Sequence, residues 1–396
     1  LCCVWMKNKN FSTKQTLGIY VHIPFCVQKC RYCDFCSLPG SSAALQQQYM
    51  NALKKDILQT GKLYSDMTVD TVYFGGGTPT CVSSDLLVDT LKTIKNAFCV
   101  SYDSEITIEC NPATADESSF LRLLNGGFNR LSMGLQSIHD KELQALGRIH
   151  SLSDFENTFF AARRAGFGNI NIDLMYGIPL QTENSFEQTL QAVIAYKPEH
   201  ISAYALKIEP GTDFYKKKET LLLPDEDCEY NMYRRMADFL PKQSYGHYEI
   251  SNYARRGKES KHNLKYWSLD SYIGFGTAAH SLIGHTRYVA VPSVASYISG
   301  ISEETESRHT VYQIEETLDD KALCEEYIMM RLRLSQGLSP SAFLEKFGYP
   351  LPEKYVQRIQ PFLNTEYMSW ENGAYALSDS GMYVSNYILT ELLDLD

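Results

Sequence analysis

Four cysteines lie close together near the start of the chain. The segment HIPFCVQKCRYCDFC places Cys26, Cys30 and Cys33 in a C-x3-C-x2-C arrangement and adds Cys36 three residues later. Soft sulfur ligands select zinc, copper(I) or iron–sulfur clusters. Structural zinc sites usually take a second ligand pair from a distant segment, whereas these candidates share one loop. Three thiolates on one loop can instead hold three irons of a [4Fe-4S] cluster, which leaves the fourth iron open for chemistry.

The position of Cys36 leaves two alternatives open. If its thiolate is a fourth ligand, the cluster is closed and carries electrons. If it is not, the open iron is a reaction site. The chain has 11 cysteines in all, and their clustering is typical of metal binding in a reducing compartment. We interpret the cysteines that lie singly further along the chain as small buried hydrophobes; they are Cys81, Cys99, Cys110, Cys228 and Cys324.

Short apolar runs rich in β-formers alternate six times with segments of helical periodicity. The predicted strands are 18–24, 71–77, 105–110, 129–135, 169–177 and 200–208. The predicted helices are 45–60, 84–97, 116–125, 153–165, 184–195 and 226–240. Repeated βα units imply a parallel sheet covered by helices. We therefore predict an α/β fold, a partial (βα)6 TIM-like barrel with a small, mostly helical C-terminal domain; a doubly wound open sheet is the alternative.

The length of 396 residues exceeds what one hydrophobic core usually organises. We predict an N-terminal extension over 1–16, a barrel with a capping segment over 17–305, and a C-terminal domain over 306–396. The first residues leave two alternatives: Leu1 to Trp5 are native, or they precede an initiator at Met6.

The bulk composition limits the partners of the chain. The chain has a formal net charge of -10. Non-specific binding to the phosphate backbone of nucleic acids needs clustered positive charge, so no nucleic-acid partner is expected. No apolar run approaches the roughly 18 to 20 residues that span a bilayer, and the first residues lack a signal-peptide core. The expectation is a soluble, cytoplasmic protein.

Polar residues follow several of the predicted strands. In parallel sheets of this kind, chemistry gathers at the carboxyl ends of the strands. The GGGTP segment at 75–79 would let a ligand approach the backbone and expose N–H groups, but it lacks the Gly-Lys-Ser/Thr ending of a phosphate loop. The residues of this segment and the further candidates named next could instead be helix caps, turn residues or packing residues. The further candidates at strand ends or in the loops after them are Glu109, Asn111, Gln136, Arg148 and Asp173.

The cysteine spacing, directly after the first strand and with Tyr32 before the third cysteine, resembles the signature of the radical SAM superfamily. The resemblance implies that Cys26, Cys30 and Cys33 hold a [4Fe-4S] cluster. It also implies that the open iron binds S-adenosylmethionine, which an electron from the cluster cleaves to a 5′-deoxyadenosyl radical. The S-adenosylmethionine site would comprise Tyr20, Tyr32, Gly76, Gly77, Thr78, Glu109, Gln136, Arg148 and Asp173.

The order of motifs from YVHIPFC through GGGTPT, LGRIHS and HNLKYW to FGTAAHS is similar to the oxygen-independent coproporphyrinogen III oxidase group. Within that group, CDF after the third cysteine, HNLKYW and His280 in AAHS most resemble the HemW branch. The resemblance implies a heme chaperone that binds heme and passes it to other proteins, with no oxidase activity. The alternative is the HemN oxidase branch, which decarboxylates porphyrinogen propionates but carries an additional cysteine where Phe35 stands.

A heme carrier needs an imidazole for the iron and an apolar surface for the macrocycle. His262, followed by Tyr266 and Trp267, is the first predicted heme site, and His280 is the second. Both could equally be hydrogen-bonded packing residues, and His22 is expected to support the cysteine loop. The resemblance implies heme-accepting proteins as partners, with membrane-bound respiratory enzymes as candidates. The oligomeric state, including a homodimer, stays open.

Overall fold

The structure is a computed structural model that describes residues 16–302 and 311–393. Residues 1–15, which include Met6, lie outside the described part, and so does the predicted domain boundary at 305/306. The strands are β1 Thr16–Ile23, β2 Phe25–Cys26, β3 Leu38–Pro39, β4 Thr68–Gly76, β5 Cys99–Cys110, β6 Arg130–Gln136, β7 Ile170–Tyr176, β8 His200–Ala205, β9 Gly246–Glu249, β10 Asn252–Ala254, β11 Tyr272–Phe275, β12 His280–Ile283, β13 Thr286–Ala290, β14 Tyr312–Thr317, β15 Met368–Glu371 and β16 Ala374–Leu377.

Helices cover the sheet and form most of the C-terminal region. They are α1 Ala43–Gly61, α2 Ser84–Ala97, α3 Glu117–Gly126, α4 Asp140–Ala145, α5 Leu152–Ala165, α6 Glu183–Ala195, α7 Asp213–Lys216, α8 Glu226–Phe239, α9 Lys261–Trp267, α10 Val294–Ser302, α11 Asp320–Leu332, α12 Pro340–Phe347, α13 Glu353–Ile359, α14 Asp379–Tyr383 and α15 Ser385–Leu392. None of the helices within the described ranges is long and apolar enough to cross a membrane.

The centre of the fold is a run of six parallel strands in the order β1-β4-β5-β6-β7-β8. Each strand pairs with the next central strand along the chain, so the βα units wind in one direction. A doubly wound sheet would instead reverse its strand order at a switch point. The predicted partial (βα)6 fold is therefore confirmed, and the six predicted strands and six predicted helices match observed elements closely.

Strand β6 shows how the sequence positions the site. All seven of its residues are buried, as expected for a parallel strand covered on both faces. Leu131, Met133 and Leu135 belong to the main hydrophobic core. The residues between them, Ser132 and Gly134, line a cavity on the other face. Strand alternation thus sends apolar side chains to the helices and polar ones to the interior.

Helix boundaries follow local capping signals. Ser151 accepts a hydrogen bond from the Asp154 backbone N–H while the Asp154 side chain accepts from the Ser151 backbone, which is a capping box at the start of α5. The helix ends at Gly166, whose φ of 108° lies in the left-handed region. Such local signals explain why the helix bounds could be predicted.

The segment after residue 245, predicted to be a cap, extends both edges of the sheet. At one edge β10 pairs antiparallel with β8, and β9 pairs antiparallel with β10. At the other edge β11 pairs parallel with β1, followed by the antiparallel strands β12, β13 and β14. Together with the six central strands, these strands form one 12-stranded sheet. The strands after residue 245 are short or antiparallel and lack the βα repeat, so periodicity gave no sign of them.

The C-terminal region has its own core. Helices α11 to α15 and the β15-β16 hairpin enclose a second hydrophobic cluster that includes Ile328, Phe343 and Ile388. Leu269 and Leu282, from the region before it, join this cluster. The region is mostly helical, as predicted.

Candidate functional site

A cavity of about 960 Å³ lies at the carboxyl ends of the central strands. Its volume is at the upper end of the range for small-molecule sites, roughly 300 to 1,000 Å³. The structure brings together at this cavity all three predicted cluster ligands and eight of the nine predicted S-adenosylmethionine residues. These are Cys26, Cys30, Cys33, Tyr32, Gly76, Gly77, Thr78, Glu109, Gln136, Arg148 and Asp173.

The cysteine loop is closed at its base by the short parallel pair of β2 and β3. The Leu38 N–H donates to the Pro24 carbonyl at 2.6 Å, and the Gly40 N–H donates to the Cys26 carbonyl at 3.1 Å. The four cysteines of this loop are free thiols. No three Cys, His, Asp or Glu side chains in the described ranges converge on a single metal ion. Three thiols around one cavity fit a multi-iron cluster, which takes one thiolate per iron.

A hydrogen-bond network connects two of the cysteines across the cavity. Arg148 Nη1 lies 3.6 Å from Cys30 Sγ, and its Nη2 donates to Asn111 Oδ1 at 3.0 Å. Asn111 Nδ2 donates to Thr78 Oγ1 at 2.8 Å, and that hydroxyl lies 3.5 Å from Cys26 Sγ. Asn111, a strand-end candidate that was not assigned to the S-adenosylmethionine site, therefore connects the GGGTP segment at 75–79 (the glycine loop) to the arginine. Its only sequence signal is its place directly after a buried strand.

Burial favours the protonated form of two of the cluster thiols. Burial raises the pKa of Cys33 to about 11 and also raises that of Cys26. Burial by itself lowers the pKa of Arg148, but the neighbouring Tyr32 and Cys30 leave it raised overall. The guanidinium therefore stays charged beside Cys30 Sγ. Cluster assembly must release protons here, because thiolates are the metal ligands.

The backbone amides of the glycine loop donate hydrogen bonds to acceptors within the protein. The Gly76 N–H donates to Glu109 Oε2 at 3.0 Å. The Gly77 and Thr78 N–H groups donate to the Ile23 and Phe25 carbonyls, both at 2.8 Å. The prediction that these N–H groups are exposed to a ligand is therefore wrong, because protein acceptors already use them. The loop can still offer carbonyl oxygens, which suit a donor such as an ammonium group.

Close packing explains why Gly76 must be glycine. Its φ of 113° lies in the left-handed region, and a Cβ atom would lie 2.5 Å from the His22 ring. Any other residue would therefore be both strained and blocked. The loop consequently presses against the strand that leads into the cysteines.

Two half-buried carboxylates face the cavity. Glu109 accepts from Tyr73 Oη at 2.8 Å and from the Gly76 amide, and burial raises its pKa to about 7. Asp173 accepts from Asn171 Nδ2 at 2.7 Å and from Ser132 Oγ at 3.1 Å, and burial raises its pKa as well. These hydrogen bonds fix both carboxylates in position. Such groups can receive ribose hydroxyls or an ammonium group.

Gln136 occupies an unusual backbone conformation at the end of β6. Its φ is 72°, and the register between β6 and β7 shifts between Gly134 and Gln136. A Cβ atom on Gly134 would lie 2.6 Å from Arg148 Nη2. The absence of a side chain at Gly134 therefore gives the arginine room to reach the cysteine loop.

Tyr20 does not line the cavity. Its hydroxyl lies 3.1 Å from His22 Nδ1, and His22 Nε2 lies 2.8 Å from the Cys36 carbonyl oxygen. The Cys36 thiol donates to the Pro292 carbonyl at 3.1 Å and is also absent from the cavity wall. His22 thus contacts the cysteine loop as expected, and any effect of Tyr20 on a cavity ligand would be indirect.

The two predicted heme histidines also lie away from the cavity wall. His262 is buried, with Nδ1 2.9 Å from Thr71 Oγ1 and Nε2 2.8 Å from Tyr266 Oη. His280 is exposed on β12, and its Nδ1 lies 3.0 Å from Glu315 Oε2. Both nitrogens of His262 are therefore engaged, whereas the described contacts of His280 involve only Nδ1. Trp267, from the same HNLKYW segment as His262, does line the cavity.

A second part of the cavity wall had no counterpart in the sequence analysis. It comes from the end of β8, from α8 and from the C-terminal region. No motif marks these residues, because they meet the cysteine loop only in three dimensions. They include Tyr204, Lys207, Glu229, Tyr233, Arg333, Met382, Tyr383, Ser385 and Asn386.

The fold and the site define a radical SAM protein. The family model for the radical SAM superfamily matches residues 20–193, and the HemN C-terminal domain model matches 318–384. The heme chaperone HemW of Bacillus subtilis is 34% identical over 377 residues, which cover 94% of this chain and 98% of that protein. HemW of Haemophilus influenzae is 32% identical over 360 residues, covering 86% of this chain and 91% of that protein. The chain belongs to the HemW branch of the radical SAM superfamily.

Solved structures support the same fold. Coproporphyrinogen III oxidase (HemN) from Escherichia coli, a radical SAM enzyme, matches with a TM-score of 0.83 and 22% identity. The match covers 96% of this chain and 90% of the oxidase chain. Membership of the radical SAM superfamily implies a [4Fe-4S] cluster and S-adenosylmethionine as cofactors.

Proposed function

We propose that this protein is a heme chaperone of the cytoplasm that binds heme, a [4Fe-4S] cluster and S-adenosylmethionine, and delivers heme to recipient proteins. One observation carries the proposal: similarity to a heme chaperone extends over 94% of the chain and so includes both the barrel and the C-terminal region. The candidate recipients are membrane-bound respiratory enzymes.

The cluster would be held by Cys26, Cys30 and Cys33, whose free thiols line one cavity. When bound, the cluster would supply the electron that cleaves S-adenosylmethionine. Phe35 occupies the position of the additional cysteine of the oxidase branch, and its ring is exposed. This difference supports chaperone function over porphyrinogen oxidation.

S-adenosylmethionine would lie across the strand ends beside the cluster. The glycine-loop carbonyls and Glu109 would receive its ammonium group, and Asp173 would receive the ribose hydroxyls. Arg148 would keep Cys30 oriented and would neutralise charge beside the cluster. The contribution of Tyr20 would be indirect, through His22.

The heme iron would bind His262 or His280. Ligation by His262 would require its hydrogen bonds to Thr71 and Tyr266 to break, whereas Nε2 of His280 would be accessible without that rearrangement. We propose both as candidates, and variants of each distinguish them.

Anaerobic reconstitution followed by parallel assays tests the function. The chaperone predicts a 1:1 heme complex with a Soret band, transfer of that heme to a heme-free recipient, and no decarboxylation of coproporphyrinogen III. Conversion of coproporphyrinogen III to protoporphyrinogen IX would establish the oxidase alternative and overturn the proposal. Light scattering of the same sample, with and without heme, tests whether a homodimer forms.

A further inference from the structure

One wall of the cavity is aromatic and apolar to a degree that the cluster and its cosubstrate do not account for. Tyr204 closes this wall at the end of β8 and exposes 41% of its surface. Flat aromatic surfaces favour flat aromatic ligands, because stacked and edge-on ring contacts add to the burial of apolar area. The cavity is also lined by Tyr233, Ile250, Trp267, Met382 and Tyr383, which together with Tyr204 we call the aromatic wall; the rings of Tyr233 and Tyr383 lie 5.1 Å apart.

Arg333 brings a positive charge to the same cavity from the C-terminal region. Its Nη2 donates to the neutral side chain of Asn386 at 3.0 Å. Its Nε is buried without a hydrogen-bond partner. Across the described residues, no carboxylate lies within 4.0 Å of this guanidinium.

The surroundings of Arg333 lack a compensating negative charge. Burial lowers the pKa of its guanidinium, and no neighbouring acid offsets that effect. A half-buried cation without a counter-ion carries a desolvation cost that an anionic ligand would remove. A guanidinium also matches a carboxylate geometrically, because it can donate two parallel hydrogen bonds. The site therefore favours a ligand that combines a large flat ring with a peripheral carboxylate.

We propose that Arg333 binds a propionate of the tetrapyrrole whose macrocycle lies against the aromatic wall of the cavity. This inference rests on the proposed heme-binding function and adds the placement of the macrocycle. It makes the C-terminal region part of the binding site, because Arg333, Met382 and Tyr383 all come from that region. Lys207 lines the same cavity and is a second cation for the other propionate.

This placement is compatible with His262 as the iron ligand, because the His262 ring stacks on Tyr73, which lines the cavity. Iron ligation by the exposed His280, outside the cavity wall, would contradict this placement.

The test compares two ligands that share one macrocycle and differ at their propionate groups, which are charged in one and esterified in the other. Ferric protoporphyrin IX and its dimethyl ester share one macrocycle, but the ester has no carboxylates. The full-length reconstituted protein is titrated with each, and binding is followed by the Soret band and by quenching of tryptophan fluorescence. We expect Arg333→Met to weaken binding of the diacid by on the order of tenfold or more and to change binding of the ester by less than about twofold.

Two further variants control for folding and for charge. Arg331→Met removes an arginine two positions away that does not line the cavity, so both affinities should stay at the wild-type level. Arg333→Lys keeps the positive charge and should retain part of the preference for the diacid.

The outcomes separate the assignment of Arg333 from the proposed function. If the wild type binds heme but Arg333→Met leaves both affinities unchanged, or lowers both equally, the propionate assignment is wrong and heme binding stands. If the wild type binds neither ligand, the heme-chaperone proposal fails together with the inference.

Discussion

Arg148 Nη1 lies 3.6 Å from Cys30 Sγ, although the two residues are 118 positions apart in the chain. The same guanidinium donates to Asn111 and to the Gly134 carbonyl, so its position is held from two sides. A fixed cation beside a thiolate ligand stabilises the more negative, reduced state of a cluster. Arg148 should therefore raise the reduction potential of the cluster, and it should also hold the cysteine loop in position.

Replacing this arginine should make the cluster harder to reduce. We expect Arg148→Met to lower the reduction potential of the reconstituted cluster by on the order of 60 mV, which corresponds to tenfold for one electron. A redox titration monitored by electron paramagnetic resonance measures the shift. Arg31→Met is the control, because the Arg31 guanidinium is exposed and donates to the Ala145 carbonyl at 3.3 Å. Equal potentials for wild type and Arg148→Met would contradict the electrostatic role.

Removal of Cys36 should leave the cluster intact. Its thiol donates to the Pro292 carbonyl and does not line the cavity, so Cys36→Ala should retain the iron content, the absorption spectrum and S-adenosylmethionine binding. Cys26→Ala, Cys30→Ala and Cys33→Ala should each lose the cluster. Loss of the cluster in Cys36→Ala would make it a fourth ligand and would favour an electron carrier.

Binding of S-adenosylmethionine should depend on pH through Glu109. Its half-buried carboxyl has a pKa of about 7 and is surrounded by Tyr73, Asp173, Arg130 and the Gly76 amide. Below that pKa the carboxyl is neutral and cannot attract an ammonium group, so affinity should fall by up to about tenfold per pH unit as the pH drops below 7. Calorimetry between pH 6 and 8 measures this trend. Glu109→Gln should bind more weakly and lose this pH dependence, and an unchanged pH profile in that variant would exclude Glu109 as its source.

The glycine loop should tolerate no side chain at position 76. Gly76→Ala places a Cβ atom 2.5 Å from the His22 ring at a φ of 113°, so we expect a loss of roughly 1 to 3 kcal/mol in the free energy of unfolding. The matched control is Gly168→Ala, where nothing lies within 4 Å of the added Cβ. Chemical denaturation of both variants makes the comparison. Equal stabilities would contradict the packing argument.

Ligation of heme iron by His262 should be limited by Tyr266. The tyrosine hydroxyl lies 2.8 Å from Nε2, and Tyr266→Phe removes that competing hydrogen bond. If His262 binds the iron, this variant should bind heme about twofold to tenfold more tightly, and His262→Ala should lose the Soret band.

His280 provides the comparison for that experiment. If His280 binds the iron instead, Tyr266→Phe should leave heme affinity unchanged, and His280→Ala should lose the Soret band. Because His280 is exposed, its replacement should affect the free energy of unfolding by less than about 0.5 kcal/mol. Titrations of the three variants under one set of conditions decide between the histidines.

The sequence by itself determined the cysteine motif, the βα alternation and most boundaries of the central elements. These features are local: ligand spacing on one loop, apolar periodicity and helix caps all depend on residues a few positions apart. Glu109, Gln136 and Asp173 could be found in the same way, because the carboxyl ends of parallel strands meet at one edge of the sheet.

Only the tertiary structure decided how those residues are used. Hydrogen bonds between distant segments occupy the amides of the glycine loop, engage both nitrogens of His262 and connect Asn111 to Arg148. Arg333 reaches the cavity from a region with a hydrophobic core of its own. Such contacts depend on packing between elements far apart in the chain, and neither periodicity nor motif spacing contains that information. The role of the cysteines as cluster ligands could therefore be predicted from the sequence. The residues that orient the cysteines and complete the cavity could not.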